Sequence, residues 1–128
     1  MEVFKSPYDF SSTLSRIEKS VTENHMVIVN KIDAGERMRK AGFKVGGNYI
    51  FEVFRPDLAY RVISTQIRAG IEPPLRIYVY EDGGEVYVEY RDPAEVFEKW
   101  GLGEMGKELD ELFRKIVLDA LKKESLSS

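Results

Sequence analysis

The chain has 128 residues, of which 43% are hydrophobic and 32% charged, with a formal net charge of −3. That is the composition of one folded domain with a real core, not of a disordered segment. The mild negative charge, with lysines and arginines spread among acids, gives no electrostatic basis for general nucleic-acid binding or for a polybasic membrane patch. There is no cysteine, which excludes disulfides, thiolate catalysis and cysteine-ligated metals.

The first residues, MEVFKSPYDF, do not form a basic region followed by an apolar run, and no stretch is long and apolar enough to span a bilayer. The expected compartment is therefore the cytoplasm. Lysine and glutamate are plentiful beside one glutamine and three asparagines, a balance that fits a thermophilic source.

In chain order, residues 2–5 predict a short strand, ended by Ser6-Pro7 because proline cannot donate to a sheet ladder. Asp9 or a nearby serine then caps a helix whose stripe is Phe10, Leu14, Ile17 and Val21, closing at Asn24-His25. The β-branched run over residues 26–32 is a second strand. Asp33 caps a short helix over 34–41 with Met38 as its main apolar contact, followed by a surface loop through Gly42, Gly46 and Gly47. Residues 48–54 form a third strand, apolar on both faces except at Glu52, which predicts substantial burial.

Pro56 suits a helix start, with Asp57 at the positive end of its dipole. Leu58, Ala59, Val62, Ile63 and Ile67 are its expected buried face, and Gly70 its end. Residues 75–90, LRIYVYEDGGEVYVEY, read as a hairpin turning at Gly83-Gly84. Alternation puts Leu75, Ile77, Val79, Val86, Val88 and Tyr90 on one face, and Arg76, Tyr78, Tyr80, Tyr87, Glu89 and Arg91 on the other. A helical turn follows Pro93, then a break at Gly101, Gly103 and Gly106. The last helix carries an apolar stripe from Met105 to Leu121, and the terminal residues beyond it are expected to fray. Helices mixed with antiparallel strands predict an α+β fold in one domain, residues 1–128, with one sheet covered by helices.

Chemistry-bearing candidates are few. His25 is the single histidine, so neither a two-histidine metal site nor a histidine triad can be built, and a polar helix end is its simplest role. Tyr78, Tyr80 and Tyr87 with Arg76 form the most suggestive cluster. They can serve as cross-strand packing, as a dimer contact, or as the lining of a ligand cavity under the C-terminal helix. Glu52, with Arg55 and Arg76 as neighbours, is a candidate acid or half of an ion pair. The acids Glu81, Asp82, Glu85 and Glu89 lack the spacing of a calcium loop, and GFKVGG at 42–47 lacks the lysine-serine/threonine ending of a phosphate loop.

Three segments, KSPYDFSSTLSRIEKSV, FEVFRPDLAYRVIS and IEPPLRIYVYEDGGEVYVEYRDP, together resemble the prokaryotic domain-of-unknown-function family 302. The resemblance runs from about Val3 to Trp100. It implies a small α+β domain with a mostly antiparallel, curved sheet, similar in shape to the TATA-box-binding-protein-like architecture. Shape alone is no argument for DNA binding. Many relatives carry cysteines near the prolines matching Pro56 and Pro74, where this chain reads VFRP and PPLR, so a cysteine-based role does not transfer. The resulting expectation is a binding or self-association module, most simply a homodimer, with no recognisable catalytic centre. The alternative is an apolar or planar ligand such as haem, held between the sheet and the C-terminal helix by Tyr78, Tyr80, Tyr87 and Arg76, with Arg55 or Arg76 meeting an anionic group. No cofactor and no metal is indicated by any motif.

Overall fold

Five strands form one antiparallel sheet: β1 (Glu2–Lys5), β2 (Val27–Asp33), β3 (Asn48–Phe54), β4 (Leu75–Asp82) and β5 (Glu85–Tyr90), in the order β1-β5-β4-β3-β2. The structure is a computed structural model describing residues 1–123. The expected fraying of residues 124–128 lies outside the described residues. Gly83 and Gly84 both adopt positive φ, 60° and 82°, and this closes the hairpin with Asp82 opposite Glu85. The chain enters at one edge, since β1 pairs with β5. The other edge, β2, carries a register shift between Ile28 and Asn30, an irregularity of the kind that discourages edge-to-edge pairing.

The sheet is closed on one face by helices. α1 (Phe10–Glu23) begins at Asp9, whose side chain accepts from the Ser12 N–H at 2.7 Å, and buries Ile17 and Val21 completely. α5 (Gly103–Leu121) buries Met105, Leu109, Phe113, Ile116, Val117, Ala120 and Leu121 along its expected stripe. The two helices are fastened to each other by polar contacts. Ser20 Oγ donates to the Ile116 carbonyl at 2.6 Å, and Arg16 Nε donates to the Ala120 carbonyl at 2.6 Å. Against them stand Phe51, Val53, Ile77, Val79, Val86, Val88 and Tyr90 from the strands. The Phe113 ring meets the Tyr90 ring edge-on at 5.3 Å, a favourable aromatic geometry.

α1 ends through His25, which has φ 62°. The His25 N–H donates to Thr22 O and the Met26 N–H to Val21 O, each near 3 Å. This paired closure satisfies two terminal carbonyls and demands a left-handed residue that is ordinarily glycine.

Several expectations are corrected. α3 (Pro56–Thr65) stops before Gly70, because Gln66 is extended at φ −145°, and a 3₁₀ turn over Ile67–Ile71 follows. Leu58 and Val62 are buried, but Ile63 is 41% and Ile67 71% exposed, since the helix covers only the end of the core and the chain leaves helical register before Ile67. Gly106 is no break. It lies inside α5 where α4 (Pro93–Glu98) crosses, and a Cβ there would come within 2.7 Å of Ala94 Cα. Gly47, expected in a surface loop, is buried beneath the Phe10 ring, 2.5 Å from where its Cβ would stand. In β3 only Phe51 and Val53 are fully buried, while Ile50 and Phe54 are half-buried, so the strand is covered on one side and not on both.

Candidate functional site

The strand residues of opposite parity form the second face of the sheet, and the register orders them in rows across it. One row is Val3, Glu89, Tyr78, Ile50 and Ile32. The next, toward the hairpin, is Lys5, Tyr87, Tyr80 and Asn48. On the far side of the first row stand Arg76, Glu52 and Asn30, with Arg91 continuing beyond β5. The hairpin tip adds Asp82 and Glu85.

The three tyrosines form a continuous stack. Tyr78 and Tyr80 rings are 4.8 Å apart and Tyr80 and Tyr87 rings 5.5 Å apart, each pair inclined by 25°. Two hydroxyls are anchored: Tyr78 donates to Asn48 Oδ1 at 2.7 Å and Tyr80 to Glu89 Oε1 at 2.9 Å. Burial within the stack, then the bond to Glu89, pushes the Tyr80 phenol up to about 12. Tyr80 thus stays protonated, and a donor, at any ordinary pH. The rings remain only half-buried, as do Asn48, Ile50, Glu52 and Glu89. Among the described residues, their ring contacts and side-chain hydrogen bonds are made with other strand residues and with no helix.

Glu52 is paired on both carboxylate oxygens, accepting from Asn30 Nδ2 at 3.0 Å and facing Arg76 Nε at 3.6 Å. An ion pair across the ladder, not an isolated acid, is what the strand register builds. Of the residues singled out from sequence, Glu52, Arg76, Tyr78, Tyr80 and Tyr87 therefore share one surface. Arg55 does not. It stands at the start of α3, bonded to Asp57 at 2.9 Å, beside a small apolar gap lined by Met26, Val53, Leu58 and Leu109 on the helix side.

A ligand held between the sheet and α5 by these tyrosines is likewise corrected. The tyrosines alternate with Val79, Val86 and Val88, which are buried in the core under the helices, so the rings lie on the opposite face. The space between sheet and helix is filled by Val86, Val88, Tyr90, Phe113 and Ile116, none more than 6% exposed. A cleft of about 250 Å³ does open on the tyrosine face, over Ile50 and Tyr78 and between Arg76, Glu89 and Arg91. Arg91 and Asn48 complete this surface. Arg91 was legible from alternation alone, whereas Asn48 required the pairing of β3 with β4.

The acids at the hairpin separate. Asp82 and Glu85 face outward, with Lys5 Nζ 3.5 Å from Glu85, while Glu81 turns to accept the Gly47 N–H at 2.6 Å. A larger cleft of about 590 Å³ runs between α3 and the start of α5, lined by Arg61, Glu98, Glu104 and Lys107. Arg61 is there paired with Glu108 at 3.1 Å, and the cleft gathers no candidate from the sequence. Among the described residues no helix is long and apolar enough to cross a membrane.

The family model for the domain of unknown function DUF302 matches residues 2–120. The chain belongs to the DUF302 family. Its fold is similar to the crystal structure of an uncharacterized conserved DUF302 protein from Bacillus stearothermophilus, with a TM-score of 0.87 over 94% of this chain and 97% of that one. At 18% identity that likeness concerns the fold. No curated protein matches. The family has no assigned function and no named relative indicates catalysis, so the reading of this DUF302 chain rests on its own side chains.

Proposed function

We propose that this DUF302 protein is a binding module that works through the open face of its sheet. The observation that supports this is the stacked, half-buried trio Tyr78, Tyr80 and Tyr87 beside Ile50 and Ile32, framed by charged residues and, among the described residues, met by no helix. Aromatic and arginine side chains on a flat surface with a charged rim have the composition of an association surface. An enzyme active site would call for a nucleophile and base in reach of each other, or an acid freed from its partners. On this face the carboxylates of Glu52 and Glu89 are each engaged by neighbours.

The second reading is a small ligand in the 250 Å³ cleft, favoured by Arg76 and Arg91 flanking the apolar floor of Ile50 and Tyr78. Its volume lies below the ~300–1,000 Å³ of most drug-sized sites. That suits a fragment-sized anion and argues against a group as large as haem.

Native mass spectrometry of freshly purified protein separates the two. A dimer mass that disappears in Tyr80→Ala supports the association surface. A monomer carrying extra mass that Arg76→Ala releases supports the ligand site and counts against the first reading.

A further inference from the structure

We infer that the partner on the open face is a second copy of this chain, docked about a two-fold axis that lies in the face and crosses the strands. The inference rests on the binding role proposed above and names its occupant. It comes from the way charge is distributed along the strands. At one end stand Arg76 and Arg91, with Glu52 against Arg76. At the hairpin end stand Asp82 and Glu85, directly opposite each other, with Lys5 against Glu85. Asp82 and Arg91 form no ion pair among the described residues. Between the ends lie Val3, Ile32, Ile50 and the three tyrosines, with Asn48 and the Glu89 carboxylate engaged by the Tyr78 and Tyr80 hydroxyls. The face is thus net positive at one end, net negative at the other and mainly aromatic and aliphatic in the middle.

Two copies of such a face can be brought together in two simple ways. An axis running along the strands keeps their direction and sets arginines over arginines and the acidic tip over the acidic tip. An axis crossing the strands reverses their direction and sets Arg76 and Arg91 of each copy over Asp82 and Glu85 of the other, twice. From residue 76 to residue 82 the strand spans about 20 Å at ~3.3 Å per residue, twice the screening length of about 10 Å at moderate salt. The two ends therefore act independently, and the first arrangement suffers repulsion at both while the second gains attraction at both. The tyrosine stack lies at the middle of the strands and meets its own copy in either case. Twisted sheets pack face to face with strands inclined by about 30°, which the reversed arrangement accommodates. Five strands at ~4.8 Å spacing make this a small interface, so dissociation in the micromolar range is expected.

The test is sedimentation velocity over a wide concentration range at low salt. It uses the natural chain, Tyr80→Ala, the pair Arg76→Glu/Arg91→Glu, the pair Asp82→Lys/Glu85→Lys, and an equimolar mixture of the two charge-changed proteins. Each charge-changed protein alone has like charges at both ends and is expected to lose affinity by about tenfold or more. Mixed, they are complementary at both ends and are expected to recover dimers at least as tight as those of the natural chain, weakening as salt is raised. Circular dichroism checks folding, and Arg91→Glu with Asp82→Lys repeats the exchange should either double change unfold the chain. If Tyr80→Ala abolishes association while either charge-changed protein alone keeps the natural affinity, or while the mixture fails to recover it, the orientation is overturned and the binding face stands. A natural chain that stays monomeric, or a dimer indifferent to Tyr80→Ala, overturns the docking and the association reading together.

Discussion

The two faces of this sheet are made by alternate residues of the same strands, yet they follow different rules. On the helix-covered face, Phe51, Val53, Ile77, Val79 and Val88 are at most 1% exposed and belong to one core with the buried residues of α1 and α5. On the open face, Tyr78, Tyr80 and Tyr87 keep part of their surface in reach of solvent and take their order from one another and from Asn48 and Glu89. The covered face is held by volume, because close-packed interiors tolerate neither gaps nor additions. The open face is held by stacking and by hydrogen bonds within the ladder, each modest. It follows that the covered face carries the stability of the chain, and that the open face can change its residues without loss of the fold.

The largest expected effect is on the covered face. Phe113→Ala removes a ring that is 0% exposed and packed edge-on against Tyr90, at a cost of about 3–5 kcal/mol in chemical denaturation. Gly106→Ala tests the closure of α4 on α5. The added methyl meets backbone, Ala94 Cα at 2.7 Å and Pro93 O at 2.9 Å, so the helices must separate and about 1–3 kcal/mol is lost. Tyr80→Ala, measured at concentrations where the chain is monomeric, is expected to cost less than about 2 kcal/mol, from two ring contacts and one hydrogen bond. A cost equal to that of Phe113→Ala would break the contrast between the faces.

Titration at high pH sharpens it. Tyr80 and Tyr90 are both pushed up to about 12, Tyr90 by burial and Tyr80 by burial and then its bond to Glu89. Each folded-state value exceeds the ordinary 10. Their contribution to stability is therefore complete below pH 10 and is lost as pH rises toward about 12. Glu89→Gln is expected to bring Tyr80 down and leave Tyr90 where it is, read from tyrosine ring resonances by NMR. The smallest change lies outside both faces. His25→Gly relieves a left-handed backbone at the end of α1 and is expected to gain about 1 kcal/mol in thermal or denaturant unfolding. A loss there would mean that the imidazole makes a contact of its own.

Much of the fold was legible in the residues. Local rules sufficed where a signal is complete within a few positions. Alternation over residues 75–80 and 86–91 assigned the hairpin side chains to their faces, and Gly83-Gly84 set the register of Tyr80 against Tyr87. Asp9 and Pro56 marked helix starts, and the stripe from Met105 to Leu121 marked the long helix. The same rules misjudged α3, where Ile63 and Ile67 match a helical period but a single extended residue, Gln66, ends the helix.

The site was half legible. Arg76, Tyr78, Tyr80 and Tyr87 could be grouped by parity, and Glu52 could be matched to an arginine. The sequence determined which residues share a face, because the two-residue period of a strand is a property of its backbone. It could not say which face the helices would cover, which arginine Glu52 would meet, or that Gly106 and Gly47 are points of contact and not of freedom. Those outcomes depend on pairings between segments distant in the chain: β3 beside β4, α4 across α5, Phe10 over Gly47. Only the tertiary structure decided them, since whether a surface is core or open is fixed by what packs against it.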